Sequence, residues 1–379
     1  MNLTEVYKQC FEPQLKGRYV CAKHLSPILN ELEKKGTATV LGFSEEGLPI
    51  HQISFGKGPK RVLIWSQMHG NESTTTKALF DFLNFLQQNN PYSKQVQNFE
   101  ESHTLLMIPL LNPDGAALYT RENSNGVDLN RDALLLTQAE SRLLRKVFET
   151  FKPHLCLNLH DQRTIYGLHT GKPATISFLA PAADESRSVT DSRRDAMVLV
   201  AKMNHFLQQW IPGQVGRYDD TFNENCVGDY FQKQGTPTIL FEAGHYQGDY
   251  EREKVREFLF YAFLALFDLV AVPEVPQFLV AYEAIPENNK QFRDVLLRNA
   301  QINSVMQDLA IQYTEVLQND KIQWVPILDE AGQLRHLKGH LEMDLEGHKV
   351  LINSYENVFV NEKISTIWDK TSKKYIKFQ

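Results

Sequence analysis

The stretch RVLIWSQMHGNEST, Arg61 to Thr74, decides how this chain is read. Val62, Leu63, Ile64 and Trp65 make an unbroken apolar run, the pattern of a strand buried on both faces. The run stops at His69-Gly70-Asn71-Glu72. Ser73 and three threonines then open a helical pattern, STTTKALFDFLNFLQQ, in which Ala78, Leu79, Phe82 and Leu83 share one face. Open α/β sheets hold their ligands just past the carboxyl ends of such strands. A histidine and a carboxylate three residues apart at that place are candidate metal ligands. With twelve histidines in the chain, roughly one H-x-x-E pair arises by chance, and a first-turn glutamate also suits the positive end of a helix.

Two further strands raise the stakes. LCLNLH ends at His160, and TPTILFE ends at Glu242, followed by Ala243-Gly244. Two histidines and one carboxylate form a ligand set for a catalytic Zn²⁺ that leaves a position open for water or substrate. Hydrolysis also needs a base beside that water, and Glu242 is the candidate. Taken alone, it reads as a strand-terminal surface glutamate. Between these lies NPDG and then YTRENSNGVDLNRD, Tyr119 to Asp132, a polar loop containing Arg121 and the pair Asn130-Arg131. A planar guanidinium grips a carboxylate bidentately, and a second one can stabilise an oxyanion.

The surrounding pattern predicts an α/β fold. Short β-rich runs (ATVLGF, IHQISFG, RVLIWS) precede the first long helix. HTLLMIPLL, LCLNLH, TISFLA and TPTILFE then alternate with helical segments at TQAESRLLRKVFETF, Thr190–Trp210 and the apolar run through Leu264. We expect a mixed, mostly parallel sheet with helices on both faces. Pro273 and Pro276 interrupt this pattern in AVPEVPQFLV. Beyond them come VLLRNAQI, IQYTEVL, KIQWVPIL, GHLEMDL, HKVLINS and NVFVNEKIST, separated by turns such as DEAG and LEGH. The expected division is residues 1–272 as the α/β domain and 273–379 as a small β-rich domain.

Composition narrows the class. At 379 residues the chain exceeds the usual single-domain size, and its net charge of -6 leaves no basic footprint for nucleic acid or an anionic membrane. Cys10, Cys21, Cys156 and Cys226 lie far apart, without a C-x-x-C unit, which fits a reducing compartment. The first twenty residues carry no apolar signal-peptide core, so the expectation is a cytoplasmic protein. His336, His340 and His348 read as strand histidines rather than a second metal site. His103, His154, His169 and His205 read as structural or surface residues. NPDG alone reads as a turn. GFSEEGLP lacks the G-x-G-x-x-G of a dinucleotide site, and Ser66 and Ser73 lack a nucleophile-elbow context.

In order along the chain, GFSEEGLPI, HGNE, NPDG, RENSNGVDLNR, NLH and FEAG resemble the motifs of the zinc metallocarboxypeptidase family, the carboxypeptidase A-like peptidases, and most of all its compact bacterial branch. The resemblance covers roughly Arg18 to Ala271. It implies one Zn²⁺ per chain, bound by His69, Glu72 and His160, with Glu242 activating the water and shuttling its proton. It makes Arg121 the oxyanion-stabilising arginine, Asn130 with Arg131 the clamp on a substrate's terminal carboxylate, and Asp128 the carboxylate that orients a zinc histidine. Tyr218 is the choice for a helper tyrosine, with Tyr230 and Tyr246 as competitors. The expected substrate is a peptide or peptide-like molecule with a free carboxylate. Some positions depart from the familiar pattern: Asn71 stands where digestive members carry an arginine, and Leu48 where an arginine is frequent. Asp132 and Asp161-Gln162-Arg163 bring charge where it is uncommon, which puts ordinary apolar specificity in question. The rival readings are an N-acyl amino acid deacylase of the succinylglutamate desuccinylase and aspartoacylase type, which shares the ligands and the Asn-Arg pair, and a non-catalytic binding protein.

Overall fold

In the computed structural model, which describes residues 2–377, the chain divides into two units. One comprises the chain up to Gln162 together with Ala174–Asn288; the other comprises Arg163–Pro173 and the chain from Asn289 onward.

Eight strands build the sheet of the first unit: β1 (Ala38–Phe43), β2 (Pro49–Gly56), β3 (Lys60–Ser66), β4 (His103–Ile108), β5 (Leu155–Asp161), β6 (Ile176–Leu179), β7 (Val215–Arg217) and β8 (Thr238–Ala243). They lie in the order β1-β2-β4-β3-β5-β8-β6-β7. The central strands β4, β3, β5 and β8 are parallel, so their carboxyl ends share one edge. β2 joins β4 antiparallel and β1 joins β2 likewise; β6 is antiparallel to β8 and parallel to β7.

The helices are α1 (Leu3–Cys10), α2 (Ala22–Lys34), α3 (Thr74–Gln87), α4 (Ser93–Ser102), α5 (Pro113–Leu118), α6 (Ala139–Phe151), α7 (Asp191–Leu207), α8 (Val227–Lys233), α9 (Glu253–Leu266) and α10 (Phe278–Glu283). They cover both sheet faces, which explains the unbroken apolar strands. Val62 and Ile64 of β3, with Leu157 and Leu159 of β5, pack into one core against Phe82, Val200 and Phe263 of α3, α7 and α9. Leu63, Trp65 and Cys156 face the opposite core, where Leu144 and Val147 of α6 meet Val227 and Phe231 of α8. Strand side chains alternate between faces, so a strand feeding two cores must be apolar at every position.

Two expectations are corrected here. NPDG is not a free turn: Pro113 is the first residue of α5, and the Asn112 side chain caps it by accepting from the Gly115 N–H at 2.8 Å. The boundary expected between residues 272 and 273 lies inside the first unit. Tyr282 and Ile285 are buried in its main core, and the Tyr282 hydroxyl accepts from the Ala180 N–H at 3.1 Å. The prolines that suggested a linker lie in the connection between α9 and α10.

The second unit is β-rich, as expected. β9 (Phe292–Ile302), β10 (Val305–Gln318), β11 (Lys321–Gly332) and β12 (Lys338–Asp344) form a sheet in the order β11-β10-β9-β12. β13 (Val350–Ile352), β14 (Ile367–Asp369) and β15 (Lys374–Tyr375) form a small second sheet. Val295, Leu297, Leu309, Ile311 and Leu328 make the core with Val350 and Ile367. Residues 163–173 act as a strap on this unit. Gly167 exchanges backbone hydrogen bonds with Asn289, the Phe292 N–H donates to the Ile165 carbonyl, and the Gln312 amide donates to Thr164. DEAG is part of β11 rather than a turn: a bulge takes up its extra residue, and Arg293 pairs with both Asp329 and Glu330. NVFVNEKIST forms no strand of its own beyond the isolated pairing of Lys363 with Ile327.

Candidate active site

His69 and Glu72 lie in the turn between β3 and α3. Gly70 is required there, because a Cβ at this position would come within 2.0 Å of the Gly115 backbone. His160 and Glu242 are direct register partners in the parallel pair β5 and β8, so their side chains leave the same face one strand apart. Three strand ends thus deliver four functional groups to one edge of the sheet.

The histidines and Glu72 meet tightly. The Nδ1 atoms of His69 and His160 stand 3.1 Å apart, and Glu72 lies 2.9 Å from each through its two carboxylate oxygens. Among the described residues this is the one group of three or more His, Cys, Asp or Glu side chains able to hold a metal ion. The Nε2 of His69 faces Asp128 Oδ1 at 3.0 Å. A donor there fixes the tautomer and turns the Nδ1 lone pair towards Glu72 and His160. His160 Nε2 is buried without a hydrogen-bond partner, so the ring's orientation is set by what lies at Nδ1.

Electrostatics agrees with a cation site. Glu72 is held well below the usual carboxylate range: burial opposes this, but His69 and His160 outweigh it. Burial lowers His160 and keeps it neutral, as a metal donor must be, with Glu72 working in the other direction. His69 is pushed up against the effect of burial by Glu72 and Asp128. A buried carboxylate between converging imidazole nitrogens calls for positive charge. Two nitrogens and a carboxylate are also the donor set zinc prefers, so the residues present fit the metal.

Arg121 lies alongside. Its Nε and one terminal nitrogen grip Asp128 Oδ2 at 3.1 and 3.0 Å, and the other nitrogen is 3.3 Å from Glu72 and 3.2 Å from His69. Asp128 therefore orients both a histidine and an arginine, and this holds its carboxyl below its ordinary range despite burial. Glu242 is half-buried, and burial, with Glu72 and Asp161 nearby, pushes its carboxyl well up; Arg121 and Arg252 offset part of this. Asn130 and Arg131 form a short 3₁₀ turn after Asp128. Asn130 Oδ1 accepts from the Val227 N–H at 3.2 Å, and the Arg131 side chain is exposed, donating to the Asn130 carbonyl at 2.8 Å.

Tyr218 stands just past β7, three strands from β5, with its backbone N–H bonded to Phe178. Tyr230 is stacked under the Arg145 guanidinium at 3.7 Å, and Tyr246 packs on Phe258. Two of the extra charges that distinguished this sequence are used internally, while Arg163 is exposed. Asp161 is buried against Arg18 at 2.6 Å and also accepts from the Thr74 hydroxyl, while Asp132 accepts the Thr137 and Gln138 N–H groups. Arg18 and Arg252 went unnoticed in the sequence. Arg252 bonds the carbonyls of Ala243 and Gln162, one residue past Glu242 and two past His160. A buried acid such as Asp161, inside an apolar strand, is the one hint that a distant cation exists.

Residues 29–161 match the model of the zinc carboxypeptidase family, a span that includes His69, Glu72, Arg121, Asn130, Arg131 and His160. Over 104 residues the chain is 28% identical to carboxypeptidase 2 of Trichophyton rubrum, an alignment covering 27% of this chain and 19% of the fungal protein. Among solved structures, a metallo-carboxypeptidase from Burkholderia cenocepacia superposes with a TM-score of 0.52 at 15% identity, over 65% of this chain and 68% of that one. Carboxypeptidase A from Helicoverpa armigera gives 0.51 at 14% identity, over 70% and 74%. The likeness to these structures is one of fold. The family match thus spans about a third of the chain, and the chain covers only about a fifth of the length of the fungal carboxypeptidase it matches.

Proposed function

We propose that the protein is a zinc-dependent carboxypeptidase that hydrolyses the amide next to the free carboxylate of a peptide. The observation that carries this reading is the convergence of His69 Nδ1, His160 Nδ1 and Glu72 at the edge where Glu242 and Arg121 also stand. His69, Glu72 and His160 would hold the zinc, which when bound polarises a carbonyl and acidifies a water.

The remaining work belongs to the chain's own residues. The planar fork of the exposed Arg131 and the Asn130 amide grip the terminal carboxylate and so set which amide bond reaches the centre. Arg121, aimed by Asp128, stabilises the oxyanion that develops as the amide carbonyl is attacked. Glu242 takes the proton of the attacking water and returns it to the leaving amine. Its raised affinity for a proton suits a group that must hold one between the two steps. Four dispersed, free cysteines support a reducing, cytoplasmic setting. The deacylase reading keeps a foothold in the β-rich second unit, which suits that branch.

The test is mass spectrometry of zinc-loaded protein with peptides, cell-wall peptides and N-acyl amino acids, using Glu242→Gln as the matched control. The expected result is loss of C-terminal residues from peptides, reduced about 10²–10⁴-fold in the variant. Cleavage confined to acyl amino acids would transfer the protein to the deacylase branch. Cleavage that survives the substitution would overturn the role of Glu242.

A further inference from the structure

β3 ends at Ser66, and the next residue, Gln67, is turned into the left-handed region with φ 51°. A side chain other than glycine is strained in that conformation. Gln67 is nevertheless fully buried, and its amide is satisfied on both sides. Its Nε2 donates to the Val20 carbonyl at 2.7 Å and to the Gly70 carbonyl at 2.8 Å, and its Oε1 accepts from the Thr76 hydroxyl at 2.9 Å. The two carbonyls fix which end of the amide is the donor. The Gln67 carbonyl in turn accepts from the Asn112 N–H at 3.1 Å.

These contacts have one geometric effect. The Gly70 carbonyl lies between His69 and Glu72, and Thr76 is in the first turn of the helix that follows Glu72. The Gln67 amide therefore bridges the turn carrying both ligands, pinning its apex to the N-terminal segment and to α3. Glycine would adopt the same backbone without strain but would lose all three side-chain bonds. We propose that Gln67 is a positioning residue for the metal centre, its strained backbone retained because the amide sets the spacing of His69 and Glu72. The proposal rests on the reading of His69, Glu72 and His160 as the zinc ligands.

The experiment compares wild type, Gln67→Ala and Gln67→Gly. Zinc affinity is measured by chelator competition, the visible spectrum is recorded after cobalt substitution, and the metal-free proteins are melted. Loss of a group that orients metal ligands weakens binding about 10- to 100-fold, so the zinc Kd rises by that factor in both variants and the cobalt bands shift. Gln67→Gly, relieved of the left-handed strain, melts above Gln67→Ala. A zinc Kd for Gln67→Gly within about twofold of wild type, with unchanged cobalt bands, would overturn the proposal. A merely structural role would move only the melting temperature. If wild type itself bound no zinc, the reading of the centre would fail first and take this proposal with it.

Discussion

The two units use the same residue type in opposite ways. In the first, His69 and His160 turn toward each other and share one carboxylate between their Nδ1 atoms. In the second, His340 and His348 are satisfied separately. His340 lies within hydrogen-bond distance of the Thr164 carbonyl and stacks on Phe292, while His348 pairs with Asp369. Buried charge follows the same division. The first unit buries Arg18 against Asp161 and Arg256 against Asp81, whereas Arg293 and Arg298 of the second each pair with two acids, one of which is exposed by more than a third. Convergence of unsatisfied donors, rather than the number of polar residues, distinguishes a reactive site from a well-braced sheet.

That contrast is easiest to break with paired substitutions. His160→Ala should abolish stoichiometric zinc binding by removing one of the three proposed ligands, while His340→Ala should leave zinc content unchanged. Metal analysis after dialysis reads both, and retention of zinc by His160→Ala would erase the distinction between the units. Next in size is the buried pair at the heart of the first unit. Arg256 holds Asp81 with two 2.6 Å bonds, both side chains fully buried. Arg256→Met leaves that buried carboxylate without its cation, held by the Glu12 N–H, and should destabilise the protein by about 3–5 kcal/mol in denaturant titrations.

The smallest expected effect depends on pH. Burial pushes the Asp229 carboxyl up to about 6, against the Asn223 N–H bond that favours its charged form. Between its ordinary value of 3.8 and about 6, the folded chain therefore keeps a proton that the unfolded chain releases. Stability should fall as pH rises through that window, and the ionised group costs about 2–3 kcal/mol above it. Asp229→Asn should gain roughly this amount at pH 7 and nothing below the window. Equal gains at pH 3.5 and pH 7 would show that charge is not the cause.

The sheet's centre was legible because its strands feed two cores. Continuous apolar runs in β3, β5 and β8 mark buried strands, and their ends are the places where His69, His160 and Glu242 had to emerge. Asp128 and Arg121 lay in a loop whose polarity was visible, and the structure brings both to His69. What escaped was long-range. Arg18 meets Asp161 across 143 positions, and no local period encodes such a pairing. The strap at residues 163–173 resembled an ordinary connection between β5 and β6. Pro273 and Pro276 looked like a linker because proline breaks a local pattern whether or not a domain ends there. DEAG looked like a turn because a bulge admits polar residues into a strand.

The strap has a consequence for synthesis of the chain. Residues 163–173 are made early, but the strands they hold begin at Phe292, roughly 120 residues later. At about 5–20 residues per second, translation leaves the strap waiting roughly 6–25 s for its partners. During that interval Ile165 and Leu168, both buried in the finished protein, have no sheet to cover them. Meanwhile β6, β7 and β8 emerge and can pair beside β5. The order of translation thus favours a first sheet that forms before the second unit, which condenses last on a segment made long before it.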